Sequence, residues 1–239
     1  MRSEPNAYSR QWFEFFHVGI DEARTVQETD FVCHCAPREE FPKIIDVCCG
    51  MGRHAHALSK RGYVVTGIDR DAEAITTARE LGGGPNYILA DIRDCQFAPE
   101  TFDAAIVLGQ SFGHCDPATN RDILLRIASS IRKRGRVILD LWNPEFFLAH
   151  QGERELTTSK GIAREIKRVG GDRLFVQLDY PDGAHEKFEW QLFSPEQMER
   201  MANSAGLILS TSCNGFDARA VPSPTEPRIQ FVLERAGSD

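Results

Sequence analysis

Residues 43–71 of this 239-residue chain read KIIDVCCGMGRHAHALSKRGYVVTGIDRD and carry most of the information about its architecture. The apolar residues 44–48 indicate a buried strand, and a Gly-Met-Gly turn follows it. A helical segment comes next, and a second apolar strand over 63–68 ends at Asp69. Strand, glycine turn, helix, strand and acid form the layout of a site for an adenosine-containing cofactor. Glycines let the backbone approach the ligand, and the acid can accept hydrogen bonds from a ribose.

The acid at position 46 bears on which adenosine cofactor binds. A dinucleotide site needs a pyrophosphate cradle, usually G-x-G-x-x-G, and Ala55 stands at its last position, which that fingerprint tolerates. The carboxylate of Asp46 lies one residue inside the strand end, where it would repel a pyrophosphate and attract a sulfonium and an α-amino group. The residues therefore favour a cationic cofactor, with an NAD-type oxidoreductase as the alternative.

The same segment resembles motif I of the class I S-adenosylmethionine-dependent methyltransferases, which reads roughly hh(D/E)xGxGxG. Cys48 departs from that pattern because it stands where the family has its first glycine. The GMGRHAHAL continuation is similar to the small-molecule branch of the family. The resemblance implies S-adenosylmethionine as cofactor and S-adenosylhomocysteine as product. The positions that it assigns to the cofactor here are Asp46, Cys48, Gly50, Gly52, Arg53 and His54.

Four later stretches fit strands in the order that this family shows. They are residues 86–90, 101–109, 135–141 and 228–234. Alternation of strands and helices predicts an α/β fold with a doubly wound, mostly parallel sheet. The resemblance implies seven strands, of which the last is inserted antiparallel. We interpret the basic run 132–136 as a solvated helix end, where cations complement the helix dipole.

The ends of these strands hold the other cofactor positions that the resemblance implies. Asp69 would bind the ribose. An acid followed by an apolar residue after the third strand would hold the adenine amine and cover its ring, and the loop after the fourth strand would flank the methionine moiety. The positions concerned are Asp69, Arg70, Asp91, Ile92, Leu108, Gly109 and Gln110.

The acceptor side is less marked in the sequence. Methyl transfer is an in-line displacement, so the protein must align the acceptor and exclude water. His114 follows the fourth strand and is our candidate for a base or orienting group, although a loop histidine bonded to backbone is an equally good interpretation. Aromatic residues at helical spacing predict an N-terminal helix that packs on the core or closes the pocket. Our candidate acceptor residues are Tyr8, Trp12, Phe16, Trp142 and Asn143.

The pattern predicts a single methyltransferase domain over 1–239. Its parts are an N-terminal helical arm over 1–40, a cofactor-binding core over 41–142, an antiparallel β insertion over 143–193, and a closing helix and hairpin over 194–239. Apolar residues alternate with polar ones in the insertion, around a Pro-Asp-Gly turn signal, which predicts two or three strands there.

Composition limits the partners. A net charge of −7 argues against a broad nucleic-acid surface. No apolar run approaches the roughly 18 residues of a membrane span, and the first residues lack an apolar signal core, so we expect a cytoplasmic protein. Seven cysteines without a CxxC pair predict free thiols and no metal site.

The expected function is therefore methyl transfer to N, O or C of a small-molecule acceptor, by a monomer or a homodimer. A non-catalytic cofactor-binding subunit is one alternative. An RNA or protein methyltransferase is another, but the fourth strand ends in Leu-Gly-Gln-Ser rather than the N/D-P-P-Y/F tetrapeptide of enzymes that methylate base amines.

Overall fold

The computed structural model describes residues 6, 9, 11, 12, 15, 22–158 and 160–237. Its helices over these residues are α1 Glu22–Cys35, α2 Arg53–Lys60, α3 Ala72–Glu80, α4 Pro117–Ser130, α5 Pro144–Ala149 and α6 Pro195–Ser204. Its strands are β1 Lys43–Val47, β2 Val64–Asp69, β3 Asn86–Leu89, β4 Phe102–Val107, β5 Ile131–Trp142, β6 Gly152–Thr158, β7 Gly161–Gly170, β8 Arg173–Asp179, β9 His185–Gln191, β10 Leu207–Cys213 and β11 Arg228–Arg235. None of the helices in these ranges has the length and apolar character that crossing a membrane requires.

The larger sheet has seven strands in the order β10-β11-β5-β4-β1-β2-β3. Strand β1 pairs in parallel with β2 and β4, and the parallel pairing continues to β3 on one side and β5 on the other. Strand β11 runs antiparallel to both β5 and β10. The predicted doubly wound, mostly parallel seven-stranded sheet with an antiparallel last strand is confirmed. The carboxyl ends of β1 to β4 share one edge, which is where such sheets bind ligands.

The sheet is covered on both faces because successive residues of each buried strand point to opposite sides. Ile45 packs in one layer with Leu124 of α4, while its neighbour Ile44 packs in the other with Leu58 of α2. These four side chains are at most 1% exposed. Burial of each contributes about 1.5–3 kcal/mol, so the apolar residues of β1 on both faces fix the strand in the middle of the sheet.

The predicted antiparallel insertion is present as a second sheet in the order β6-β7-β8-β9. It has four strands, where the sequence predicted two or three. Strands β8 and β9 show the alternation that was expected, and their alternate residues are buried. Strand β6 is the polar edge strand and is mostly exposed, which is why it lacks a period-two apolar pattern.

The interpretation of residues 132–136 as a helix end is wrong. Helix α4 stops at Ser130, and the basic run begins strand β5. Arg132 donates from Nε to Asp103 at 2.9 Å, and its guanidinium carbon lies 4.9 Å from the ring centroid of Phe41. Arg136 pairs with Glu234 of β11. These cations therefore connect neighbouring strands instead of complementing a helix dipole.

The glycine turn after β1 contains two left-handed glycines with different surroundings. Gly50 has φ 53° and Gly52 has φ 80°. A Cβ atom at Gly52 would lie 2.4 Å from the hydroxyl oxygen of Tyr87, whereas a Cβ at Gly50 would have no heavy atom within 4 Å. Gly52 is therefore needed for close packing as well as for its backbone conformation, whereas Gly50 is needed only for its backbone conformation.

We expect Gly52→Ala to lower the free energy of unfolding of the cofactor-free protein by about 2–4 kcal/mol, because left-handed strain and overpacking add. Gly50→Ala should lower it by about 1 kcal/mol, from the backbone strain alone. Adding Tyr87→Phe to Gly52→Ala should recover part of the loss, since it removes the nearest oxygen. Urea unfolding measures all three variants, and equal losses at the two glycines would contradict the packing argument.

Candidate active site

A cavity of about 1530 Å³ opens at the carboxyl ends of β1 to β4 and extends to the second sheet. Most predicted site residues line it, namely Trp12, Cys48, Gly50, Arg53, His54, Asp69, Arg70, Asp91, Ile92, Leu108, Gly109, Gln110, His114 and Trp142. Asp46 and Gly52 lie beneath its surface and do not line it. Tyr8 and Phe16 lie outside the described residues, so their predicted contact with the acceptor stays a prediction.

Asn143 does not line the cavity, which differs from its predicted place on the acceptor side. Its side-chain oxygen accepts from the N–H of Glu145 at the start of α5. Its amide nitrogen donates to the carbonyl oxygens of Ser223 and Glu226, both at 2.8 Å. This buried side chain therefore caps a helix and fixes the loop before β11, a role that the sequence did not indicate because the partners are about 80 residues away.

The turn after β1 presents backbone to the cavity and fixes one carboxylate there. Cys48 has φ 59°, in the left-handed region, which explains why glycine is usual at this position. The N–H of Gly50 donates to Asp69 Oδ2 at 2.8 Å, and the N–H of Asp71 donates to Oδ1 at 2.9 Å. The Asp69 carboxylate is held at the end of β2 with lone pairs left over, as a ribose-binding acid requires.

Asp46 is a buried acid without full hydrogen bonding. It is 1% exposed, and its Oδ2 has no hydrogen-bond partner among the described residues. Burial raises its pKa to about 7, against the opposing effects of the Arg53 charge and a hydrogen bond from the Ala55 N–H. A buried carboxylate oxygen in this state is stabilised by a cationic group, so the site fits a sulfonium or ammonium.

Asp91 lies at the cavity edge and is already engaged. The Arg93 side chain donates to both of its oxygens, from Nε at 3.0 Å and from Nη2 at 2.6 Å. The Arg93 hydrogen bonds lower the pKa of Asp91, so the group is a carboxylate at neutral pH. An adenine amine at this place would share the carboxylate with Arg93, which the sequence pattern alone did not indicate.

Two fully buried carboxylates, Glu28 of α1 and Asp140 of β5, share one guanidinium beneath the cavity. Arg228 of β11 donates from Nη2 to Glu28 Oε1 at 2.8 Å, and from Nε to Asp140 Oδ1 at 3.0 Å. Gln230 Nε2 also donates to Asp140, at 2.7 Å. Sequence analysis did not identify this cluster, because its members are distant in the chain and belong to no local motif.

The cluster orients residues on both sides of the predicted cofactor site. Asp140 accepts from the Gly109 N–H at 3.1 Å and from Gln110 Nε2 at 2.5 Å. Glu28 accepts from Arg53 Nη1 at 2.5 Å and from His54 Nε2 at 2.7 Å. The loop after β4 and the start of α2 are thus held by the same buried network.

The charge states in this network follow from burial. Burial would raise the pKa of Glu28, but hydrogen bonds from His54 and Arg53 and the charge of Arg53 hold it well below its usual range. Burial lowers the pKa of His54, so a neutral imidazole donates to Glu28. The residues that the structure describes contain no cluster of His, Cys, Asp or Glu that could hold a metal ion.

The acceptor end is formed where the second sheet docks on the loop after β4. Trp190 Nε1 of β9 donates to the carbonyl oxygen of Gln110 at 3.0 Å, and the N–H of Gln191 donates to that of Gly113 at 2.7 Å. The chain has three tryptophans, and all of them, Trp12, Trp142 and Trp190, line the cavity. Trp190 was visible in the sequence as part of an alternating strand, but its docking partner was not.

His114 lies beside this aromatic wall. Its ring centroid is 5.2 Å from that of Trp190. Burial, followed by the charges of Arg70 and Arg173, lowers its pKa to about 4. The imidazole is therefore neutral at physiological pH, and it is a weaker base than an ordinary histidine.

Comparison with known proteins agrees with this geometry. Residues 44–135 match the family described as a methyltransferase domain. Glycine/sarcosine N-methyltransferase of Aphanothece halophytica is 27% identical over 202 residues, which cover 80% of this chain and 72% of that protein. An S-adenosylmethionine-dependent methyltransferase of Clostridium acetobutylicum superposes with a TM-score of 0.77 at 16% identity, covering 95% and 97% of the two chains.

A third comparison includes a bound cofactor. An amino pentose methyltransferase of Micromonospora echinaspora involved in calicheamicin biosynthesis, solved with S-adenosylmethionine, gives a TM-score of 0.72 at 17% identity. The match covers 98% of this chain and all of that one. Residues 44–135 thus carry a methyltransferase domain, and the chain has the fold of S-adenosylmethionine-dependent methyltransferases. The predicted family and cofactor are confirmed, and the NAD-type alternative is set aside.

We expect cofactor binding to release a proton from Asp46. Because its folded-state pKa of about 7 lies above the ordinary 3.8, Asp46 is largely protonated at about pH 6 in the cofactor-free protein. A bound cation lowers that pKa, so affinity for S-adenosylmethionine should rise with pH up to about 7 and level off above it. Calorimetry near pH 6 in two buffers of different ionisation enthalpy measures the release. Asp46→Asn should abolish it, and an unchanged release in that variant would assign the proton elsewhere.

We expect Arg228→Met to lower the free energy of unfolding by about 3–5 kcal/mol, since it leaves Asp140 buried without its guanidinium partner and removes one of the cations that pair with Glu28. The matched control is Arg219→Met. Arg219 pairs with Asp217 at the surface and is 91% exposed, so its loss should leave stability nearly unchanged. Denaturant unfolding compares the two, and equal effects would show that the buried network does not stabilise the fold.

Proposed function

We propose that this chain transfers a methyl group from S-adenosylmethionine to a nucleophilic nitrogen, oxygen or carbon of a small-molecule acceptor. The observation that carries the proposal is the continuity of the cavity. One end is formed by the glycine turn and the acids after β1 to β3, and the other by the aromatic face of the second sheet. Donor and acceptor can therefore meet inside a single enclosure.

The residues of the first end fit the cofactor. Asp69 has lone pairs available for a ribose, and the unpartnered Oδ2 of Asp46 suits the cationic part of the cofactor. Gly109 and Gln110 are held by Asp140 at the place where the methionine moiety is proposed to lie. When bound, the cofactor supplies a methyl group already activated by its sulfonium.

The task left to the protein is alignment and exclusion of water, which can contribute roughly 7–11 kcal/mol to lowering the barrier. Trp142 and Trp190 meet edge to face with centroids 6.0 Å apart, and together they form a rigid apolar wall beside Gln110. We propose that neutral His114 orients the acceptor by a hydrogen bond. Its depressed pKa makes it a weak base, which is sufficient for an acceptor that loses its proton readily.

The relatives favour a small acceptor. Their names include an N-methyltransferase of glycine and sarcosine and a methyltransferase of an amino pentose. A non-catalytic subunit would be expected to have an occluded acceptor side, whereas this cavity is open and aromatic, which supports an enzyme. The absence of a nucleic-acid partner, the cytoplasmic location and the monomeric or homodimeric state stay predictions from the sequence.

The test is a methyl-transfer screen of metabolite pools with labelled S-adenosylmethionine. We expect Asp69→Ala to weaken cofactor binding by about 10- to 100-fold, through loss of charge-assisted hydrogen bonds to the ribose. The matched control is Asp71→Ala, which removes the helix cap of α3 in the next turn. Both activity and cofactor affinity are measured. Unimpaired binding in the Asp69 variant would overturn the ribose assignment, and no labelled product from any pool would overturn the proposal.

A further inference from the structure

The second sheet contributes a buried lysine to the cavity, beside apolar side chains and the charged residues Arg154, Glu165, Arg173 and Glu189. Lys167 of β7 lines the cavity, and its side chain is 14% exposed. Its register partner on β8 is Val176, which lines the same cavity. The Nζ atom lies 5.2 Å from the ring centroid of Phe147. A lysine in such surroundings is unfavourable unless something compensates for the lost hydration.

The protein compensates only in part for the hydration that the Lys167 ammonium loses. Lys167 Nζ lies 2.9 Å from Glu165 Oε2, its ion-pair partner among the described residues. The same Glu165 oxygen also pairs with Arg154. Two cations therefore share one buried carboxylate, and the group of three has one excess positive charge, part of which water screens because the Arg154 side chain is 60% exposed. Burial lowers the pKa of Lys167, against the opposing effect of Glu165, which agrees with a partly compensated ammonium.

A second donor belongs to Trp142, whose ring also contacts Phe147. The ring centroids of Trp142 and Phe147 are 5.2 Å apart, edge to face. Trp142 Nε1 is inaccessible to solvent, and none of the described residues accepts a hydrogen bond from it. An indole N–H is a donor only, so it requires an acceptor oxygen when buried. The Lys167 ammonium and the indole of Trp142, whose buried N–H has no acceptor among the described residues, thus both lie near the Phe147 ring.

We infer that this face, consisting of Lys167, Trp142 and Phe147, is a subsite for a carboxylate on the methyl acceptor. The inference rests on the proposed function and specifies its substrate as a small carboxylic acid with an apolar or aromatic body. One excess positive charge matches a monoanion, whereas a phosphate dianion would leave excess negative charge in the wall. The body of the acceptor packs between Trp190 and the β8 side chains, with its nucleophilic atom toward Gln110.

The three tryptophans make binding directly observable, because every tryptophan of the chain lines this cavity. The probes are benzoate, phenylacetate and 3-phenylpropanoate, each paired with its uncharged amide of nearly equal shape. They are titrated into protein saturated with S-adenosylhomocysteine, and tryptophan fluorescence is followed. For at least one pair, we expect the carboxylate to bind about tenfold or more tightly than the amide, as a charge-assisted hydrogen bond provides.

Variants distinguish an effect of the Lys167 charge on binding from an effect on folding. Lys167→Met should abolish the preference for carboxylate over amide, while Glu165→Gln should increase it, because it frees the ammonium. The control Lys187→Met removes an exposed lysine on the opposite face of the same sheet and should leave the preference unchanged. If Lys167→Met fails to fold, the double variant Glu165→Gln/Lys167→Met keeps the buried pair uncharged and should likewise lack the preference.

The outcomes are distinguishable from failure of the proposed function. If S-adenosylhomocysteine does not bind, the proposed function fails. If it binds but no carboxylate binds more tightly than its amide, or if the preference survives in Lys167→Met, the subsite inference fails while methyl transfer stands. Tighter binding of phenyl phosphate than of every carboxylate would overturn the assignment to a monoanion.

Discussion

One guanidinium connects the parts of this molecule that must cooperate. Arg228 donates to two carboxylates that are fully buried, Glu28 and Asp140, which are 200 and 88 residues away in the chain. Neither acid could be buried alone at neutral pH, because an unpaired charge in the interior costs several kcal/mol. The N-terminal helix α1, strand β5 and the antiparallel strand β11 are therefore interdependent. Strand β11 lies between β5 and β10 and also carries a cation that pairs with an acid of each of the other two elements.

The network also sets the geometry of the site above it. Asp140 holds the backbone of Gly109 and the side chain of Gln110, and Gln110 in turn accepts from Trp190 through its carbonyl oxygen. A path of buried hydrogen bonds thus leads from the seven-stranded sheet to the second sheet. It passes through the loop where donor and acceptor are proposed to meet. A buried polar network that is fully satisfied makes such a loop rigid, which alignment of a transferred methyl group requires.

The sequence predicted the fold and the cofactor because the motifs that indicate them lie in short segments. The apolar run in β1, the glycine turn and Asp69 lie within 27 residues, and their spacing alone indicates strand, turn and acid. Prediction failed where residues acquire their roles through distant partners. Asn143 was predicted to contact the methyl acceptor because it follows a strand end. Its amide nitrogen instead donates hydrogen bonds to the carbonyl oxygens of loop residues 80 and 83 positions later. Likewise, the polar edge strand β6 has no apolar alternation from which it could be recognised.

The proposed subsites place charges of opposite sign at the two ends of the cavity, and we propose that these charges order the ligands. At the cofactor end the buried Asp46 and the fixed Asp69 favour positive charge, whereas at the acceptor end Lys167 has only part of a carboxylate to neutralise it. A cationic donor and an anionic acceptor each bind favourably at one end and unfavourably at the other. Their opposite charges also attract across the contact point near Gln110. Because transfer of the methyl group neutralises the sulfonium, that attraction weakens after the reaction, so the same charge arrangement that assembles the reactants favours release of the product.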